Sequence, residues 1–347
     1  MKSARLILQN GEEFTGFSPD WQKVPCSGEV VFTTGMVGYV ESLTDPSYAG
    51  QILTFTFPLI GNYGVPDKTL WESEKIQASG VIIDEYSPFY SHYQAKQSLL
   101  QWLEEQKVPL LYSVDTRALT KVLRKTGVLL GTITSDAKKV GSFFDPNSTH
   151  LVAQVSRRKI AEFGSGEKKI IAVDCGMKEN ILRSLLKFPV KIKRVPYDYD
   201  YTNEEYDGLF LSNGPGDPIQ CKETIAILQK AMRKNKPIFG ICLGAQILAL
   251  SIGAKTFKLP YGHRGQNQPA QAVESLRCIL TSQNHGYAID ETTLPEDWKV
   301  TYRNLNDLSV EGICHRIRPF FAVQFHPEAS PGPNDASNLF AQFYEML

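Results

Sequence analysis

Three short stretches of this 347-residue chain combine residue types that covalent chemistry needs. The first is Pro237-Ile-Phe-Gly-Ile-Cys242-Leu-Gly-Ala-Gln246, which reads as a buried strand, a sharp turn and a helix. Cys242 sits at the turn between Gly240 and Gly244. The pattern is G-x-C-x-G, the thiol counterpart of the G-x-S-x-G nucleophile elbow. Small flanking residues are required because the nucleophile's backbone is strained and larger neighbours would strike the adjoining strand and helix. A helix beginning at Leu243 aims free N–H groups and the positive end of its dipole at the sulfur, which favours thiolate. The N–H of Leu243 can also serve an oxyanion. Alone, the stretch equally describes a buried cysteine at a glycine-rich strand–helix junction.

A thiol nucleophile needs a base, and the base needs a third group to fix its tautomer. His326 follows the apolar strand Phe320 to Phe325 and opens His326-Pro327-Glu328. Residues i and i+2 of an extended segment face the same side, and Pro327 biases its predecessor toward extended geometry. Glu328 can therefore orient or charge-stabilise the imidazole. His285, in Ser282-Gln-Asn-His-Gly-Tyr287, is the rival base but has no acidic neighbour in sequence. His263 lies in what reads as a polar, glycine-containing loop, where structural hydrogen bonding is the expected role.

The third stretch, Leu211-Ser-Asn-Gly-Pro-Gly-Asp-Pro218, follows the strand Gly208 to Leu211. Glycines beside prolines give a stiff loop whose backbone can approach a ligand closely. Its N–H groups would complement Leu243 in binding developing negative charge. Neither GxxxxGK[ST] nor G-x-G-x-x-G occurs, so no nucleotide cradle is expected.

The chain is longer than the ~250–300 residues at which a single core stops growing, so two domains are expected. With 37 basic and 37 acidic residues the net charge is zero, which argues against nucleic acid as the main partner. The apolar run at the N-terminus is too short for a signal peptide. The stretch from Gly240 to Ala254 is interrupted and shorter than the ~20 residues a membrane span needs. A soluble cytoplasmic protein is expected, without membrane association. The six cysteines are scattered, without a CxxC pair or zinc-type spacing, so neither a disulfide framework nor a metal site is expected.

The elements that must position these residues change rhythm along the chain. The first half reads as β-rich: strands flank Asn10-Gly11, a hairpin dipeptide, and others cover Glu29 to Thr34 and Gln51 to Phe57. Helices are expected over His92 to Gln106 and after Asp115, a helix N-cap, with Gly127 as the stop. The apolar pattern fades from Ser135 to Lys169, placing a boundary near residue 166, with domains over 1–165 and 168–347. Beyond it, strands at Ile170 to Val173, Val190 to Val195, Gly208 to Leu211 and Pro237 to Ile241 alternate with helices. That alternation implies a doubly wound, mostly parallel α/β sheet with helices on both faces, binding ligands beyond the carboxyl ends of its strands.

Together, Ser212-Asn-Gly-Pro-Gly-Asp217, Gly240-Ile-Cys-Leu-Gly-Ala-Gln246 and His326-Pro-Glu328 resemble the class I, triad-type glutamine amidotransferases. The first half resembles the N-terminal domain of the carbamoyl-phosphate synthetase small-subunit family, through Thr34-Gly-Met-Val-Gly-Tyr39, Leu43-Thr-Asp-Pro-Ser-Tyr48, Pro58-Leu-Ile-Gly-Asn-Tyr-Gly64 and Asp115-Thr-Arg-Ala-Leu119. The resemblance implies that Cys242 forms a γ-glutamyl thioester, that His326 activates it and protonates leaving ammonia, and that Glu328 orients His326. The N–H groups of Gly214 and Leu243 would form the oxyanion hole. Ser47, Gly216, Gln246, Asn284, Gly286 and Tyr287 would touch the L-glutamine, with the pocket at the domain interface. The family implies a large-subunit partner that holds ATP and magnesium and makes carbamoyl phosphate for arginine and pyrimidine synthesis, with no cofactor in this subunit. Ala245, Gln268 and Tyr287 depart from the residues common in relatives, without touching the triad.

Two other functions compete. A glutaminase-like scaffold for an ammonia-dependent synthetase should lack a triad member, and all three are present. Amidotransferases of anthranilate or GMP synthesis, or a γ-glutamyl hydrolase, would lack the Leu43 to Tyr48 and Asp115 to Arg117 segments.

Overall fold

A computed structural model of the protein describes residues 2–22, 25–135 and 143–347. The chain forms two compact units, Met1–Thr149 and His150–Leu347. None of the described helices is long and apolar enough to cross a membrane.

The first unit is built on a seven-stranded mixed sheet, in the order Leu110–Leu111, Gly80–Ile82, Gln51–Phe55, Cys26–Thr33, Leu129–Thr134, Lys2–Leu8, Glu13–Ser18. The hairpin between Lys2–Leu8 and Glu13–Ser18 turns at Gly11, whose φ of 88° suits glycine. Helix Thr116–Thr126 starts where Asp115 accepts the Ala118 N–H at 2.8 Å and ends at Gly127, burying Leu119 and Leu123. The helix expected over His92 to Gln106 is shorter. It covers Leu99–Glu105 because Ser98 caps it through the Gln101 N–H, while Ala95–Gln97 is extended and pairs with Val65–Pro66. Trp102, fully buried, packs beside Trp71 in the core of this unit.

The second unit carries a ten-stranded sheet. Its central five strands run parallel in the order Val190–Pro196, Lys168–Asp174, Gly208–Leu211, Ile238–Ile241, Phe320–Val323. Alternate residues face opposite sides. Ile171, Val173, Leu209 and Leu211 pack with helices Lys222–Ala231 and Leu243–Ser251, whereas Ile170, Ala172, Phe210 and Phe239 pack with Glu179–Leu185 and Asn338–Met346. The expected doubly wound core with helices on both faces is therefore formed.

Four antiparallel strands extend this core: Val310–His315, Trp298–Asn304, and a long hairpin of Lys255–Ala272 and Cys278–Asp290. His263 stands in that hairpin and not in a loop. Register shifts between Lys258 and His263 and between Gly265 and Gln268 break the two-residue alternation that would have marked a strand. The division between units falls at 149/150, ahead of the position near 166 read from composition. The intervening segment belongs to the second unit because Val152 joins its core and Ala161–Phe163 pairs with Val190–Pro196. Part of the expected fading stretch, residues 136–142, lies outside the described residues.

Phe343 is fully buried, with ring centroids 6.1 Å from Phe210 and 5.7 Å from Phe239. Phe343→Ala should cost about 3–5 kcal/mol, read as a lowered urea midpoint of the second unit's transition; an unchanged midpoint would contradict this packing.

Candidate active site

Four parallel strands end side by side, and their carboxyl-end segments carry the reactive groups. Strand Ile238–Ile241 leads into Cys242, and helix Leu243–Ser251 begins at once. Cys242 adopts φ 54° and ψ −105°, a conformation that non-glycine residues rarely hold. Its N–H is fixed to the Val323 carbonyl at 2.8 Å. The glycines around it are dictated by backbone approach. A Cβ on Gly244 would lie 2.3 Å from the Leu211 oxygen, and one on Gly240 would lie 2.7 Å from the Gly244 oxygen. The buried sulfur donates to the Asn284 carbonyl at 3.6 Å.

His326 follows the next strand, with its N–H on the Ser282 carbonyl at 2.9 Å. Its Nδ1 and Glu328 Oε1 are 2.7 Å apart, both residues buried. Burial opposes charge on the ring, but the Glu328 carboxylate, the adjacent Cys242 and hydrogen bonding raise the imidazole to about 10. Glu328 shows the converse. Burial favours its neutral form, yet the Lys178 charge, then that of His326, with hydrogen bonds from both, hold it at about 2. Lys178 Nζ donates to the same Oε1 at 3.0 Å and to the Ala329 carbonyl at 2.5 Å. Sequence spacing offered no signal for Lys178, a buried lysine 150 residues from its partner. Asn180, which donates to the Glu328 carbonyl at 2.5 Å, was missed for the same reason.

The loop after Gly208–Leu211 lies against the turn after Lys168–Asp174. Ser212 Oγ accepts the Cys175 N–H at 2.9 Å, and Asn213 Oδ1 accepts the Lys178 N–H at 3.0 Å. A Cβ on Gly214 would fall 2.1 Å from the Cys175 oxygen and 2.7 Å from the Leu243 side chain, so Gly214 and the first residue of the nucleophile helix are neighbours. Gly216, at φ 86°, turns this loop beside Leu151.

The hairpin strand Cys278–Asp290 closes the other side. Gln246, one turn along the nucleophile helix, donates to the Tyr287 carbonyl at 2.9 Å and to Gln324 Oε1 at 3.1 Å. Gly286 lies beside Arg264. Ser47 belongs to the first unit, in the 3₁₀ turn Pro46–Tyr48, where its N–H caps onto Asp45.

His285, the rival base, is turned elsewhere: Nδ1 lies 2.8 Å from the Tyr287 carbonyl and Nε2 3.2 Å from Gln283 Oε1. Burial, then the charge of His263, keeps its pKa well below the usual histidine range. His263, His285 and Glu311 bring potential metal-ligating atoms within 4.8 Å of one another. His263 Nε2 is 2.8 Å from Asp307 Oδ2. Against burial, hydrogen bonds to Asp307 and Glu311 raise His263 to about 9. Asp307 and Glu311 thus flank the His263 imidazole, at 2.8 and 3.5 Å.

The arrangement gives a thiol, an imidazole and a carboxylate in series, with backbone N–H groups from two strand ends nearby. Glu328→Gln removes the anion that raises the imidazole, so the His326 titration, followed by NMR of the ¹³C-labelled ring, should fall from about 10 toward or below the ordinary 6.5. A titration left in place would show that Glu328 does not govern the ring.

Comparison with known proteins agrees with both units. Residues 171–346 match the family model for class-I glutamine amidotransferases, and residues 6–133 match the carbamoyl-phosphate synthase small-chain domain. The chain is 50% identical to the carbamoyl phosphate synthase arginine-specific small chain of Aspergillus oryzae, over 99% of this chain and 80% of that one. It is 50% identical to the multifunctional protein CAD of Squalus acanthias and 44% identical to the mitochondrial carbamoyl-phosphate synthase [ammonia] of Mus musculus. It spans 16% and 24% of those two longer proteins. With a synthase-type first unit and an amidotransferase second unit, the chain belongs to the family of carbamoyl phosphate synthase small chains.

Proposed function

We propose that this chain hydrolyses L-glutamine to glutamate and ammonia, and that the ammonia passes to a synthase large subunit for carbamoyl phosphate synthesis. The observation that carries the reading is the 2.7 Å contact of His326 with Glu328, set beside a cysteine at a strained strand–helix bend. The Cys242 sulfur attacks the side-chain amide carbon as a thiolate, its proton held by His326. The carbonyl oxygen becomes an oxyanion that the N–H groups of Gly214 and Leu243 receive. His326 protonates the leaving nitrogen, ammonia departs, and a γ-glutamyl thioester remains. His326, now neutral, takes a proton from water; hydroxide adds to the thioester, and glutamate leaves as the thiol is restored.

Ser47, Gly216, Gln246, Asn284, Gly286 and Tyr287 are assigned to the glutamine by the family resemblance. These steps ask no cofactor of this chain. ATP and magnesium belong to the large subunit in this reading, as do the steps with bicarbonate that supply arginine and pyrimidine synthesis. The assembly is placed in the cytoplasm, with no nucleic acid or membrane as partner.

The scaffold alternative has one point in its favour, the ammonia in the name of the mouse relative. The presence of Cys242, His326 and Glu328 together favours glutamine hydrolysis. Acid quenching with labelled glutamine should trap label on Cys242, and Cys242→Ala should lower hydrolysis by at least about a thousandfold. Glutamine-dependent synthesis that survives Cys242→Ala in the presence of the large subunit would establish the scaffold instead. Adding the large subunit should speed hydrolysis by the wild-type chain; equal rates with and without it would count against coupling.

A further inference from the structure

Lys178 reaches Glu328 from a tight turn, and what fixes that turn lies one strand further out. Arg194, on strand Val190–Pro196, is nine-tenths buried and pairs in register with Ala172 on Lys168–Asp174. Its guanidinium makes three contacts. Nε donates to Asp174 Oδ2 at 2.8 Å, Nη2 to the Met177 carbonyl at 3.2 Å, and Nη1 to Glu179 Oε1 at 2.6 Å. The other Asp174 oxygen accepts the N–H groups of Gly176 and Met177 at 2.8 and 2.9 Å. One planar fork thus grips the residues on both sides of Lys178, and a lysine in its place could not span three divergent acceptors.

We propose that Arg194 is a positioning residue for the triad, acting through Lys178 to hold Glu328 against His326. The proposal rests on the glutaminase reading of the site. The charged and titratable groups facing His326 and Glu328 are Cys242, Lys178 and His285, and Arg194 itself faces Asp174 and Glu179. Arg194 is therefore a step removed from substrate and should alter turnover without altering affinity.

A double-mutant cycle on the full chain tests this through glutamine hydrolysis. Arg194→Met and Lys178→Met should each lower kcat by about ten- to a hundredfold, with KM for glutamine within about twofold of wild type. The double variant should lose no more than Lys178→Met alone, because the two act in series. Arg194→Lys, which keeps the charge, should fall between wild type and Arg194→Met, and it decides the matter if Arg194→Met does not fold. A kcat for Arg194→Lys equal to wild type, or a double-variant loss equal to the product of the single losses, would overturn the proposal. Wild-type hydrolysis no faster than that of Cys242→Ala would instead sink the glutaminase reading, and this proposal with it.

Discussion

A carboxyl group withdrawn from water is driven toward its neutral form, and Glu328 is buried. It stays ionised because one oxygen receives both the Lys178 ammonium and the His326 ring. The orientation of the imidazole, its resting charge and its usefulness to the sulfur all follow from that shared oxygen. Removing one cation leaves the carboxylate to the other; removing both would leave a buried charge without a counterion, a loss of about 3–5 kcal/mol in typical cases. The partners come from different strands of the parallel sheet, since Lys178 follows strand Lys168–Asp174 and Glu328 follows Phe320–Val323. With Gly208–Leu211 and Ile238–Ile241 between them, these strands place all four loops at one edge. The strand order is thus the means by which distant charges meet.

The sulfur's position is set by backbone geometry more than by any side-chain partner. Cys242 holds a positive φ that its own sequence does not favour. It is kept there by the Val323 carbonyl on one side and by the helix on the other. The close approaches at Gly214, Gly240 and Gly244 weld strand end, loop and helix into one unit. Local strain of this kind persists only where the surroundings over-determine the conformation, and two core layers packed against the central strands supply that rigidity.

The parts of the site legible in the sequence were those encoded by short spacing. G-x-C-x-G announced a bend, and His326-Pro-Glu328 put two groups on one face of an extended segment. The parallel core was legible too, because its strands are short apolar runs separated by helical stripes. Lys178 and Asn180 were invisible because their meaning depends on a contact about 150 residues away. The hairpin around His263 was hidden by bulges that disrupt its alternation. The helix before Glu105 was overextended because Ser98, a stronger signal than the apolar stripe ahead of it, sets its true start. Composition placed the unit boundary late, since strand Ala161–Phe163 earns its place only by pairing with Val190–Pro196.

The departures from common family residues are accommodated for a related reason: several of the site's contacts are made by main chain. The sulfur meets the carbonyl of Asn284, and the Tyr287 carbonyl receives Gln246 while facing His285. A change of side chain at 287 need not move that carbonyl. Ala245 is fully buried in the nucleophile helix, where a small side chain lets the helix sit close against its sheet. Gln268 accepts a hydrogen bond from Asn306 at 3.1 Å, away from the triad. Side-chain identity is therefore demanding at Cys242, His326, Glu328 and Lys178, where charge and reactivity reside. Where a carbonyl makes the contact, its position is set by the register of the hairpin, which pairs His263 with His285 and Arg264 with Asn284.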